Sequence, residues 1–197
     1  MVAVLFARRD SHYKTVPGLD VYDIDRDART FPGGVPVVAH PPCRSWGMLA
    51  HMAKPRSDER ALAPWSIQQI RRFGGVLEHP KGSRLWKELG LPLPGQFPDE
   101  FGGFSLDVDQ YDWGHLAHKA TRLYVCGCSI SDLPQMPPKN DAPTKWSIAG
   151  ESKNGGVKGT HRISDKAREA TPPAFAAWLV NVANKCRAQP TNNETRG

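Results

Sequence analysis

The chain predicts an α/β fold in which a mostly parallel sheet is flanked by helices. Three observations carry that expectation. Short apolar runs of strand length recur along the sequence, and an apolar repeat of 3.6 residues separates two of them. A second helical stripe closes the chain, and strands alternating with helices are the pattern of a layered α/β domain. The 197 residues are enough for one unit with a sizeable core.

The elements follow in order. Residues 2–7 form an apolar run that starts almost at the N-terminus, and residues 20–25 form a second run that ends in acids. Val35-Pro36-Val37-Val38-Ala39-His40 reads as a third, buried strand. Over residues 57–73, Leu62, Ala63, Trp65, Ile67, Ile70 and Phe73 fall on one arc, with Pro64 either kinking the helix or marking its start. Gly75-Val76-Leu77-Glu78-His79-Pro80 is the next strand, followed by a short helix at 83–89 and a Pro/Gly-rich interruption at 90–103. A strand is expected within 104–113 and a stronger one at 121–126, and residues 127–161 read as loop. The final helix takes Thr171 as N-cap and Pro172 as its first residue, with Phe175, Trp178, Leu179 and Val182 on one stripe. A single domain is therefore expected over 1–188, with a Pro/Gly/Lys-rich loop insertion at 128–160 and a flexible tail at 189–197.

The formal charge of +6 permits a polyanionic partner without requiring one. Cys43, Cys126, Cys128 and Cys186 are too few and too scattered for a disulfide framework, and Cys126-Gly127-Cys128 lacks the second pair that structural zinc requires. No metal is assigned. No signal segment and no long apolar span stands out, so a cytoplasmic protein without a membrane partner is expected.

Chemistry concentrates at two strand exits. Pro41-Pro42-Cys43 closes one apolar run and Glu78 lies at the end of the next. In open α/β sheets ligands sit beyond the carboxyl ends of the strands, so a thiol and an acid there are candidates for covalent catalysis. The plainer readings are an inert buried thiol and a surface acid.

Taken in order, these segments resemble a DNA (cytosine-5) methyltransferase, in the small form found in phage and prophage. Leu5-Phe6-Ala7 is similar to the start of that family's first motif, and Tyr22-Asp23-Ile24-Asp25 to the acidic second one. Pro41-Pro42-Cys43 resembles the segment bearing the catalytic cysteine, and Leu77-Glu78-His79-Pro80 the Glu-Asn-Val or Glu-Asn-Pro segment. Lys119-Ala120-Thr121-Arg122-Leu123-Tyr124-Val125 resembles the arginine-bearing motif, and His161-Arg162-Ile163-Ser164 with the last helix resembles the closing segment.

The resemblance implies a Rossmann-like methyltransferase fold, reduced and without a target-recognition domain. It implies S-adenosylmethionine held by Phe6, Asp23 and Pro41, with Cys43, Glu78 and Arg122 catalytic. Cys43 would add to cytosine C6, protonated Glu78 would bind N3, and Arg122 would hold the base carbonyl or a phosphate. Arg44, His79, Lys119, Thr121 and Arg8 would contact the substrate, which is DNA or a nucleotide. A duplex target would have its base flipped out. The cationic Arg8, Arg9, Lys14 and Arg44 are expected to converge on the cleft mouth and bind phosphate, and the basic loop at 139–158 to touch DNA.

The chain departs from the family pattern in several places. Arg8, Arg9 and Asp10 stand where the family has glycines, and Arg44 replaces the glutamine after the cysteine. The stretch before residue 162 is too short for a recognition domain, so a protein partner would have to supply target recognition. Two other readings stay open. One is a cysteine-dependent enzyme acting on a nucleotide or modified base without S-adenosylmethionine; the other is a non-catalytic nucleic-acid binder or decoy.

Overall fold

The structure, a computed structural model, describes residues 1–47, 50, 53–149 and 158–188. Strands β1 (Val2–Leu5), β2 (Leu19–Val21), β3 (Val37–Ala39), β4 (Gly75–Pro80), β5 (Phe104–Asp109) and β6 (Ala120–Cys126) form one six-stranded sheet in the order β2-β1-β3-β4-β6-β5. Neighbours from β2 through β4 are parallel, and β6 runs antiparallel to both β4 and β5. The mostly parallel α/β sheet expected from the apolar runs is present.

Helices cover both faces. Residues of α1 (Glu59–Phe73) pack with Ala3, Leu5, Val37, Ala39, Leu77 and Tyr124 on one side. On the other side α4 (Pro173–Lys185) packs with Val2, Val4, Val38, Val76, Leu123 and Val125. Alternate residues of each strand thus serve opposite cores, which is the period-two signature of a sheet buried on both faces. Phe175, Leu179 and Val182 of α4 are completely buried, each worth roughly 1.5–3 kcal/mol of transfer free energy. Gly75 opens β4 with φ of 137°, and a Cβ there would lie 2.0 Å from the Val37 carbonyl oxygen. Only glycine lets β4 start so close beside β3.

Several boundaries differ from the sequence reading, each for a local reason. β1 stops at Leu5 because Phe6 adopts a left-handed φ of 63°. β2 ends at Val21 because the Asp23 carboxylate accepts from the amides of Asp25 (2.9 Å) and Arg26 (3.1 Å) and turns the chain. α1 carries Pro64 inside it, with no break at that residue. The expected loop at 127–161 holds β7 (Trp146–Ser147), which pairs in parallel with β8 (His161–Arg162). The short α2 (Leu85–Glu88) lies within the stretch expected to be helical, and α3 (Asp165–Glu169) was not anticipated. The N-cap of α4 is Pro172 rather than Thr171, and Pro173 is its first residue. The expected tail at 189–197 lies outside the described residues, as does part of the basic loop. Among the described residues, no helix is long and apolar enough to cross a membrane.

Strand order reverses between β1 and β3: the chain passes from β1 to β2 on one side, then returns to β3 on the other. In open α/β sheets such a reversal opens a crevice beyond the carboxyl ends of the flanking strands, here β1 and β3, which lead into Phe6 and His40.

Candidate active site

β3 delivers His40 to this crevice, and the next residues bring Cys43 out into solvent. Pro41 is buried, Pro42 half-buried and Cys43 exposed, so the double proline lifts the thiol clear of the core. Cys43 then starts a single 3-10 turn over Arg44–Trp46, closed by the Trp46 amide on the Cys43 carbonyl at 3.0 Å.

β4 lies beside β3 in a register that pairs Val38 with Val76 and Ala39 with Leu77. One step further along both strands, His40 and Glu78 meet on the face that α4 covers. His40 Nδ1 lies 3.0 Å from Glu78 Oε2. A carboxylate accepts only, so Nδ1 carries the proton. The other ring nitrogen, Nε2, then accepts from the hydroxyl of the fully buried Tyr13 at 3.0 Å. Glu78 Oε1 accepts from Gln110 Nε2 at 3.0 Å, and Gln110 also donates to Thr121 Oγ1 at 3.0 Å. The result is a largely buried chain, Tyr13–His40–Glu78–Gln110–Thr121, running across the C-terminal ends of β3 and β4. Gln110 Oε1 is buried without a hydrogen-bond partner among the described residues.

This network reverses one expectation. Burial alone pushes the Glu78 carboxyl up, but the His40 hydrogen bond and the Lys119 charge oppose it, holding the group down to about 2. Glu78 is therefore a carboxylate at rest, not the protonated acid anticipated from burial. The Cys43 thiol is shifted the other way. Desolvation by the surrounding chain raises it first, although the residue as a whole is exposed, and the Glu78 charge adds to that while Lys119 opposes it. At rest the pair is a neutral thiol and an ionised acid, close enough to feel one another.

Lys119 is the cation nearest this pair in effect, and its ammonium favours charge on both groups. The Asp109 carboxylate anchors its loop by accepting from the amides of Tyr111 (3.0 Å) and Lys119 (2.8 Å). Among the described residues no carboxylate lies within ion-pair distance of Lys119.

The structure disperses the other expected site residues. Arg122 sits opposite His79 in the β4–β6 register, one residue out of phase with Glu78, so its side chain lies on the α1 face. There it forms a two-pronged pair with Asp107 (2.6 and 3.1 Å), which Lys81 also approaches at 3.0 Å. His79 shares that face, fully buried against Trp86, and among the described residues neither ring nitrogen has a hydrogen-bond partner of good geometry. Burial keeps it neutral, pushing its ionisation down to about 4. Thr121 does reach the Glu78 network.

The cations expected at the cleft mouth each meet an acid. Arg8 bonds Asp10 at 3.0 Å, Arg9 bonds Asp25 at 2.9 Å, Lys14 bonds Asp23, and Arg44 grips the fully buried Glu59 at 2.6 and 3.1 Å. Asp23 is itself almost buried, and its two oxygens take Lys14 and the two amides of its turn. Sequence reasoning missed Tyr13, His40 and Gln110. Strand parity would have revealed His40, since it follows Val38 by two residues as Glu78 follows Val76.

Among the described residues no group of three or more His, Cys, Asp or Glu is placed to hold a metal ion. A separate hollow of about 370 Å³, lined in part by Met1, Pro36, Phe73, Cys186 and Arg187, lies at the opposite end of the sheet and contains neither Cys43 nor Glu78. The sequence matches no protein-family model, and a search of curated proteins finds no match either.

Proposed function

We propose that the protein modifies the C5 position of a pyrimidine base in DNA through a covalent adduct on Cys43, as the resemblance to DNA (cytosine-5) methyltransferases implies. One observation carries the reading: an exposed thiol and a largely buried, hydrogen-bonded carboxylate occupy the same end of neighbouring parallel strands. C5 of cytosine is a weak nucleophile until a nucleophile adds to C6. The Cys43 sulfur supplies that addition, and Glu78, when it carries a proton, offsets the negative charge that develops on the ring. Pro41 and Pro42 fix the backbone that presents the thiol. In a reduced Rossmann-like frame, the crevice between β1 and β3 is the place for a cosubstrate.

The residues there do not fit S-adenosylmethionine in the way the resemblance implies. The acid that would hold the ribose, Asp23, has both oxygens engaged by Lys14 and its own turn. Arg8, Arg9 and Asp10 stand where close backbone approach would need glycine. No step is therefore derived through that cofactor. The same observation favours the second reading, a cysteine-dependent base-modifying enzyme that does not use it.

A 5-fluorocytosine oligonucleotide separates the two. Methylation predicts a denaturation-stable adduct only with S-adenosylmethionine present, and the second reading predicts that the methyl donor makes no difference. An oligonucleotide that never becomes attached to Cys43, with any donor, ends both.

A further inference from the structure

We infer that Cys128 and Cys186 are an oxidisable pair, a covalent staple that a small disulfide such as oxidised glutathione closes between the exit of β6 and the end of α4. The pair lies at the end of the sheet where β4 begins, opposite Cys43, so the inference is independent of the C5 reading.

Nothing in the cysteine spacing marks these two, which stand 58 residues apart; the fold brings them together. Cys186 is the C-cap of α4, and Cys128 follows β6 by two residues. Their sulfurs are 3.4 Å apart, with Cys186 placed to donate its S–H to Cys128. The backbone holds them there. Arg187 donates its amide to the Gly127 carbonyl at 2.8 Å, so the residues beside the two cysteines are bonded directly. Gly127 permits the approach: its φ is 96°, and a Cβ there would lie 2.4 Å from the Arg187 carbonyl oxygen. The same left-handed residue ends the alternation of β6. Cys126 joins the core on the α1 side, where its sulfur lies 3.0 Å from the Phe101 carbonyl oxygen, whereas Cys128, two residues on, packs against the core on the α4 side. Closing the bond therefore takes movement of two short side chains and leaves the backbone in place.

The two thiols are unequal. Cys186 is fully buried and Cys128 half-buried. The hydrogen bond from Cys186 pulls the Cys128 thiol down, against burial and the Asp132 charge; that same contact, with burial, pushes Cys186 up. Cys128 is thus the attacking thiol and Cys186 the resolving one. Cys128 gives up its proton and its sulfur bonds to one sulfur of the oxidant, whose S–S bond breaks; the first small thiolate leaves and takes that proton. Cys186 then gives up its proton, its sulfur bonds to Cys128, and the second small thiolate leaves with that proton. Two protein thiols are oxidised and one small disulfide is reduced to two thiols. The bond closes a loop that contains β7, β8, α3 and α4, and a cross-link over that length restricts the unfolded chain.

The test is incubation of the full chain with excess oxidised glutathione, blocking of remaining thiols with N-ethylmaleimide under denaturing conditions, and peptide mapping by mass spectrometry. Wild type is expected to yield a linked peptide joining Cys128 to Cys186. Cys186→Ala keeps the attacking thiol without the resolving one, so it is expected to accumulate a glutathione adduct on Cys128. Cys128→Ala is expected to leave Cys186 unmodified. Melting is compared in Cys43→Ser, so that no adduct at the exposed thiol contributes, and the linked form is expected to melt about 5 °C or more above the reduced form. Wild-type protein in which Cys128 and Cys186 stay unlinked overturns the inference, whatever the variants do. So does a linked form that melts no higher than the reduced one. Either result leaves the C5 reading as it stands.

Discussion

The two halves of the crevice are built from the same kinds of residues and arrive at opposite states. Around β3, β4 and β6, the polar groups form a hydrogen-bonded chain at the same end of the sheet as an exposed thiol, with Lys119 lacking a carboxylate partner among the described residues. Around β1 and β2, the charged groups are matched in pairs: Arg9 with Asp25, Lys14 with Asp23, Arg26 with Asp20. Paired charges on a surface hold a loop in place, whereas a largely buried acid under the field of an unmatched cation is a candidate for function. On the proposed function the β3–β4–β6 side is the reactive side, and the predictions below test that division.

The largest effect falls on Cys43. Cys43→Ser is expected to abolish covalent capture of a fluoropyrimidine substrate while changing stability by no more than about 0.5 kcal/mol, because the residue is exposed. Mass spectrometry of the trapped protein and a urea unfolding curve give the two values. Capture that survives the substitution would place the nucleophile elsewhere and erase the division.

Acid unfolding probes the buried groups of the reactive side. His79 is pushed from 6.5 to about 4, so the unfolded chain takes up its proton first, and stability falls as pH drops from 6.5 to about 4. Glu78 is held from 4.5 down to about 2, so its stabilisation is complete above 4.5 and fades as pH falls through that lower window. Each shift corresponds to about 3 kcal/mol at full extent. Two consecutive losses are expected in urea midpoints measured against pH, and His79→Leu should remove the upper one alone. If the upper limb persists in that variant, His79 is not the group responsible.

Asp23→Ala sharpens the other half. If Asp23 braces its own turn, removing it strands Lys14 and two amides and costs about 1–3 kcal/mol. A cofactor-holding acid would behave differently, leaving stability nearly intact and eliminating a melting shift induced by S-adenosylmethionine. The two outcomes are read from one pair of melting curves.

How much of this was legible in the sequence follows the same line. The apolar runs of β1, β3, β4 and β6 and the stripes of α1 and α4 announce themselves because hydrophobic burial is periodic. Strands β7 and β8 are two residues each, too short for any period to register. At the site, Cys43 and Glu78 were readable as residues at strand exits. Tyr13 and Gln110 were not, because they come from 3-10 turns whose place against β3 and β4 is set by tertiary packing. Arg122 was misplaced for a related reason. Motif order brought it near Glu78 in the chain, but pleat parity sends it to the opposite face, where Asp107 holds it.

The smallest effect concerns Arg9, and it tests the division at its margin. Its guanidinium and the Asp25 carboxylate are both mostly exposed, so solvent screening leaves the pair little weight in stability. A phosphate-binding arginine would release a counterion on contact with DNA, and its removal would flatten the salt dependence of binding by nearly one unit of slope. Held by Asp25, Arg9 adds no net charge for DNA to neutralise. Arg9→Ala is therefore expected to leave the slope of DNA retention against salt unchanged, while Lys119→Ala, which removes an unmatched cation from the reactive side, should reduce it. A lower slope for the Arg9 variant and none for the Lys119 variant would invert the assignment of the two halves, placing the nucleic acid over β1 and β2 rather than over Cys43.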